Sequence, residues 1–252
     1  MKRVIYVILV LLIVLGLGKA CIRADVAEFQ KPVLRPKTEV TDANYPLEKN
    51  VTINGVDYLQ SQAPIGKFGG TFVSSTIGEG PKTFNPFNSK DNISSQMSEI
   101  MYDGLVTTDP VTGDTIPKLA KSFTVNGREY LINLRHGLKW SDGEALDAND
   151  VLYSWNRLAD ENTAADYSYL CSVFATKDDG TLDIEASEDG KTFTAHLNAP
   201  CAYFLDLCAF PAFYPVPQQA VEAADGADTN PGAWALEAGF VGSGPFVLTE
   251  WK

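Results

Sequence analysis

A serine between two glycines, two histidines and several acidic pairs are the residues here that could break bonds. Gly242-Ser243-Gly244 offers a hydroxyl on a tight turn, but a nucleophile elbow has the spacing GxSxG, and no HExxH pair supplies a zinc site. His136 closes one apparent strand and His196 sits on the outer face of another, so neither is predicted to act as a general base. Gly78-Glu79-Gly80-Pro81-Lys82-Thr83 has a passing likeness to a phosphate loop; its spacing is wrong, and Pro81 removes one of the N–H donors such a loop relies on. Asp178-Asp179 and Glu188-Asp189 precede Gly180 and Gly190, and Asp-Gly pairs belong to turns. No metal-ligand spacing is present, and no cofactor is expected. What remains suits holding a ligand. Tyr167 and Tyr169 put two phenols in one loop, where each offers apolar area plus a hydroxyl to a ligand or, equally, packs the loop down.

Of the four cysteines, Cys21 has a distinct context. Met1-Lys2-Arg3 is a basic start, residues 4–18 are uncharged and apolar, and Gly16-Leu17-Gly18-Lys19-Ala20 leads into Cys21. The run is short for a membrane-spanning helix and reads as a secretory signal cleaved before Cys21, whose thiol would take a lipid. The bacterial lipobox prefers Leu where this chain has Gly18 and a small residue where it has Lys19, so an uncleaved anchor or plain cleavage stays open. Cys171, Cys201 and Cys208 are odd in number, leaving at least one free. If residues 200–208 are helical, Cys201 and Cys208 lie about 10 Å apart along the axis, too far for a disulfide, which needs Cα atoms within roughly 7 Å. Cys171 could pair with either, but small buried thiols are the simpler expectation.

Residues 22–66 lack sustained periodicity and read as a tether, with a small hairpin at Val51–Tyr58 signalled by Asn54-Gly55. The body is expected from about Lys67, with Gly69-Gly70-Thr71-Phe72-Val73-Ser74 as a first strand and residues 81–88 as a loop held by its surroundings. Met97, Ile100, Met101 and Leu105 give an amphipathic helix from Ser94 that stops near Gly104. Residues 130–135 alternate as a strand. A helix follows, opened by Asp147 with Asp150 three places on as a capping box and striped by Val151, Trp155 and Leu158. Phe193, Ala195 and Leu197 point inward from a strand at 192–198, and Phe246-Val247-Leu248 reads as a last strand.

The composition supports a real core: 45% of residues are hydrophobic and 11% aromatic, which argues against disorder. The net charge of −12, with no basic cluster beyond the first residues, argues against a nucleic-acid groove and fits a soluble exported protein.

Leu134-Arg135-His136-Gly137-Leu138-Lys139-Trp140-Ser141-Asp142-Gly143-Glu144-Ala145-Leu146-Asp147-Ala148-Asn149-Asp150-Val151-Leu152-Tyr153-Ser154-Trp155 resembles the most recognisable segment of the family 5 extracellular solute-binding proteins, which serve ATP-driven importers of oligopeptides, dipeptides and nickel. Met101-Tyr102-Asp103-Gly104-Leu105, Pro117-Lys118-Leu119-Ala120-Lys121-Ser122-Phe123 and Gly242-Ser243-Gly244-Pro245-Phe246-Val247-Leu248 resemble further landmarks in the same order. Residues 153–164 resemble the oligopeptide-binding branch.

The resemblance implies an α/β fold of the periplasmic binding protein type (type II, cluster C), a two-lobed clamp truncated here with its distal lobe missing. It implies a signal at residues 1–21, a tether at 22–66, the first part of a main lobe at 67–100, an inserted smaller lobe at 101–216, and the main lobe's return at 217–252. The implied role is to bind oligopeptides at the periplasmic or extracellular face of the cell envelope and deliver them to the membrane permease subunits of an ABC transporter. A lipid on Cys21 would hold the protein at the membrane. No nucleic-acid partner is implied. Tyr167 matches a tyrosine lining the peptide site, with Tyr169 as the fallback. The loop Asn88 to Asn92, with Lys90, Asp91 and Asn92, would sit where the family contacts peptide backbone, and the family's acidic residue aligns with Lys90 or Asp91. Competing readings are an exported enzyme, a one-lobed lipoprotein remnant acting as an interaction protein, and binding of a dipeptide, nickel chelate, haem or sugar.

Overall fold

The computed structural model describes residues 49–60, 69–110, 112–225 and 232–251, all within one compact unit, Glu48–Lys252. The apolar signal, Cys21 and most of the predicted tether lie outside the described residues. Two short strands, β1 (Lys49–Ile53) and β2 (Val56–Gln60), form the hairpin expected from Asn54-Gly55. Both turn residues have positive φ, 52° and 81°, the twist a two-residue hairpin requires. The tether reading gives way here: Asp57 of β2 bonds to Lys121 and His136 of the body, so the hairpin is docked and not loose.

A four-stranded antiparallel sheet forms the centre, ordered β5 (Ala120–Asn126), β6 (Glu129–Leu134), β8 (Thr192–His196), β7 (Ile184–Ala186), with β3 (Val106–Thr108) and β4 (Thr115–Pro117) pairing beside it. Alternation works as predicted. Tyr130, Ile132 and Leu134 of β6 and Phe193 and Ala195 of β8 are buried on one face. That face is covered by α2 (Ala148–Ala159), which also meets the later helix α4 (Gln218–Asp225); α1 (Asn92–Met101) precedes it in the chain and the short α3 (Phe204–Cys208) follows. The capping box of α2 is complete: Asp147 accepts from the amide of Asn149 at 2.7 Å, and Asp150 accepts from the amide of Asp147 at 2.9 Å. Its stripe of Val151, Trp155 and Leu158 is fully buried.

Trp155 is the hub of the core. Its ring meets Phe193 at 4.8 Å and Phe213 at 5.3 Å, both near-perpendicular, and Phe174 at 5.4 Å, inclined at 62°, and its Nε1 donates to the carbonyl of Phe213 at 3.0 Å. Ser154 adds a second tie to the same segment: its hydroxyl accepts from the amide of Val216 at 2.8 Å and donates to the carbonyl of Asp150 at 2.6 Å. A second aromatic cluster joins Phe84, Tyr102, Trp234 and Phe240.

Three expectations need correction. Neither residues 69–74 nor Phe246–Leu248 form a strand. A strand is completed by its neighbour's hydrogen bonds, and among the described residues neither segment has a ladder partner; Phe72 is 92% exposed and Phe246 63%. The helix expected over 200–208 is confined to Phe204–Cys208, preceded by a turn. Cys171, Cys201 and Cys208 are all free; Cys171 and Cys208 are buried, and Cys201 is half-buried.

Candidate functional site

The residues singled out at 90–92 lie where a loop enters α1. Asp91 is the N-cap: its carboxylate accepts from the amides of Ile93 at 3.1 Å and Ser94 at 2.9 Å and from the Ser94 hydroxyl at 2.6 Å. Those hydrogen bonds, the Ser94 hydroxyl first, hold the Asp91 carboxyl below its ordinary range. The same hydroxyl accepts from the amide of Lys82 at 2.8 Å, fastening the preceding Pro-rich loop as expected. Asp91 therefore has a structural employment that sequence reading did not assign. Asn92 is the first residue of α1 and is exposed.

Lys90 reaches across to the tyrosine loop. Its ammonium lies 2.5 Å from a carboxylate oxygen of Asp166, one residue before Tyr167. A parallel tie runs from the core: buried Asn85 donates to Asn88 at 3.2 Å, and Asn88 donates to the carbonyl of Ala164 at 3.2 Å. Ala164 has φ 48°, a left-handed conformation that a side chain seldom adopts, and it turns the chain out of the short 3-10 helix Glu161–Thr163, which follows α2, into the tyrosine loop. Two loops separated by more than seventy residues in sequence are thus tied by one ion pair and one hydrogen bond.

The two tyrosines behave differently. Tyr167 is half-buried and packs edge-on against Phe210 at 4.9 Å, while Tyr169 is 65% exposed, 6.3 Å from Tyr167. Phe210 is set by the adjoining short helix Pro211–Phe213, whose Phe213 carbonyl is the acceptor for Trp155. The sheet core, α2 and the phenol loop form one supported stack. Asp166 and Phe210 were missed in the sequence, and Asn88 was read only as the start of its loop; Asp166, directly before Tyr167, was the missed residue with a readable signal, as the only charge in that loop segment.

Nothing in this arrangement pairs a nucleophile with a base. His136 is exposed on the turn after β6, and the His196 ring nitrogen is 3.9 Å from a Glu129 oxygen. Among the described residues no three potential ligands gather into a metal site. Ser243 serves structure: its hydroxyl accepts from the amide of Asp103 at 2.9 Å, while the Gly244 amide donates to the Met101 carbonyl at 2.8 Å. A cavity of about 310 Å³ lies elsewhere, lined by Glu99, Asp103, Lys118 and Tyr214, and none of Lys90, Asp91, Asn92, Tyr167 and Tyr169 borders it. Around the two loops, the surface chemistry is two phenols and a neutralised ion pair. That suits non-covalent contact with an elongated ligand.

Residues 114–252 match the family model described as bacterial extracellular solute-binding proteins, family 5 Middle. The periplasmic oligopeptide-binding protein OppA of Salmonella typhimurium is 34% identical over 168 residues, covering 62% of this chain and 30% of that protein. A probable deoxycholate-binding periplasmic protein, YgiS of Escherichia coli, is 31% identical, covering 68% of this chain and 33% of its own length. The substrate-binding domain of an oligopeptide ABC transporter from Bacillus anthracis superposes with a TM-score of 0.64 at 31% identity, over 71% of this chain and 35% of that one. The chain spans about a third of the length of the relatives it matches. The fold, the order of its landmarks and these matches together place the chain in the bacterial extracellular solute-binding proteins, family 5.

Proposed function

We propose that this chain forms the peptide-facing first part of an oligopeptide-binding component of an ABC importer, with the main lobe at 67–100 and 217–252 and a smaller lobe at 101–216. The observation that carries the proposal is the tie between the loop at 88–92 and the loop at 164–169, which sets Tyr167 and Tyr169 beside Lys90. An extended peptide lying across these loops would satisfy its backbone by strand-like pairing, while roomy pockets accept varied side chains. Hinge closure over the ligand would then present the permease with a shape distinct from the open form. The chain breaks no bond. A lipid on Cys21 would keep the protein at the outer face of the membrane.

Photo-crosslinking of the chain with benzophenone-bearing tri- to pentapeptides tests this reading. Adducts at 88–92 and 164–169, displaced by unlabelled peptide and reduced by Tyr167→Ala, are the expected result. Adducts confined to other segments, preferential displacement by deoxycholate, or hydrolysis of the peptide would overturn it.

A further inference from the structure

The hairpin Lys49–Gln60 is held to the body by a carboxylate that has almost no solvent. The Asp57 side chain is 6% exposed. It accepts from the Thr52 hydroxyl at 2.5 Å, the Lys121 ammonium at 3.1 Å and the backbone amide of His136 at 3.2 Å. Its own amide donates to the His136 carbonyl at 2.9 Å, so Asp57 and His136 bond to each other in both directions. Next to this bridge Val56 lies over Gly137, where an added Cβ would come within 2.8 Å of a Val56 methyl. The three donors hold the Asp57 carboxyl far below its usual range, Thr52 contributing most. A two-stranded hairpin is marginal by itself in water. This one carries its own anchoring carboxylate and a matching notch, a glycine with φ 79°, on the body.

We infer that the hairpin is a clasp: Asp57, set against Lys121 and the His136-Gly137 turn, fixes the point at which the N-terminal segment joins the body. The inference is independent of the ligand reading, because the clasp's bonds go to β5 and the turn after β6, and not to the loops at 88–92 or 164–169. Burial of an ion with a full set of hydrogen bonds suits this use, since removing one partner leaves the rest stranded and makes the docked state all-or-none.

Hydrogen exchange on the full chain tests the clasp. Asp57→Ala is expected to raise exchange of the amides at 49–60 by at least about tenfold, while β6 and β8 stay protected. Thr52→Val, which changes nothing on the body's side, should give a smaller loss in the same amides and serves as the readout if Asp57→Ala does not fold. Unchanged protection of the hairpin in both variants would overturn the inference. So would loss of protection in β6 and β8 in step with the hairpin, which would make it part of the core and not a clasp.

Discussion

Replacing Trp155 separates packing from hydrogen bonding at the hub of the core. The side chain is fully buried among Phe174, Phe193, Phe204 and Phe213, and its Nε1 is the partner of the Phe213 carbonyl. Trp155→Phe keeps most of the ring contact but leaves that carbonyl unpaired in an apolar setting, a loss of about 1–3 kcal/mol. Trp155→Ala adds the lost transfer free energy and a cavity, for which large aromatic truncations cost about 3–5 kcal/mol. Such a loss is a large fraction of the roughly 5–15 kcal/mol that a domain possesses, and at this size it lowers Tm by about 2–4 °C per kcal/mol. Urea unfolding followed by far-ultraviolet circular dichroism is the assay, since tryptophan emission would itself change. If Trp155→Ala loses under about 2 kcal/mol with an unchanged denaturant slope, the reasoning that places this residue at the centre of the core fails.

Burial, and secondarily the nearby Asp147, pushes the Asp150 carboxyl up to about 6, above its ordinary value of 3.8. The folded state therefore holds this proton longer than the unfolded chain: the contribution is full below about pH 4 and is lost as pH rises through 6. Asp150→Asn should flatten the fall in Tm between pH 4 and 7, and an unchanged profile would refute the assignment. Asp91→Ala should cost about 1 kcal/mol in thermal or chemical unfolding by uncapping α1, whereas Asp91→Asn, which can still accept from the helix amides, should cost little; equal losses would contradict the cap. Gly244→Ala would put a methyl within 2.5 Å of the Met101 carbonyl carbon and 2.8 Å of the Ile100 oxygen, both backbone. A loss of about 1–3 kcal/mol is expected, and a neutral result would show the approach is looser than described. In thiol titration, Cys201 should react in the native protein and Cys171 and Cys208 only on unfolding, since burial raises the Cys171 thiol to about 12; fast native labelling of Cys208 would contradict its place in the core.

Local signals were legible where both partners of an interaction lie close in sequence. The capping box at Asp147 and Asp150, the Asn54-Gly55 turn and the alternation in β6 and β8 each follow from a few neighbouring residues, and all are present. Residues 69–74 and Phe246–Leu248 have strand composition, but a strand also depends on a neighbour that composition does not reveal, and here no described segment pairs with them. In the candidate site the phenols were visible because their type suits a ligand wall. Lys90 was read by position in the loop, but its Asp166 partner is 76 places on, a distance no local pattern can bridge. Asp91 shows the converse: a charge in a loop of interest that is spent on capping a helix, as Ser94 three residues later hints.

The Gly242-Ser243-Gly244 junction has a consequence for the order in which the chain assembles. Its glycines lie against the Met101 backbone, its serine bonds Asp103, and Gly242 exchanges hydrogen bonds with Ser141. The partner at Asp103 leaves the ribosome 140 residues ahead of Ser243. At about 5–20 residues per second, the end of α1 waits roughly 7–28 s before its seal is synthesised. During that interval the sheet and α2 can form from residues already made, leaving Tyr102 and its neighbours uncovered. A nascent chain is thus most vulnerable to aggregation or proteolysis at the end of α1, and that end is covered only when Trp234, Phe240 and the Gly242-Ser243-Gly244 junction emerge.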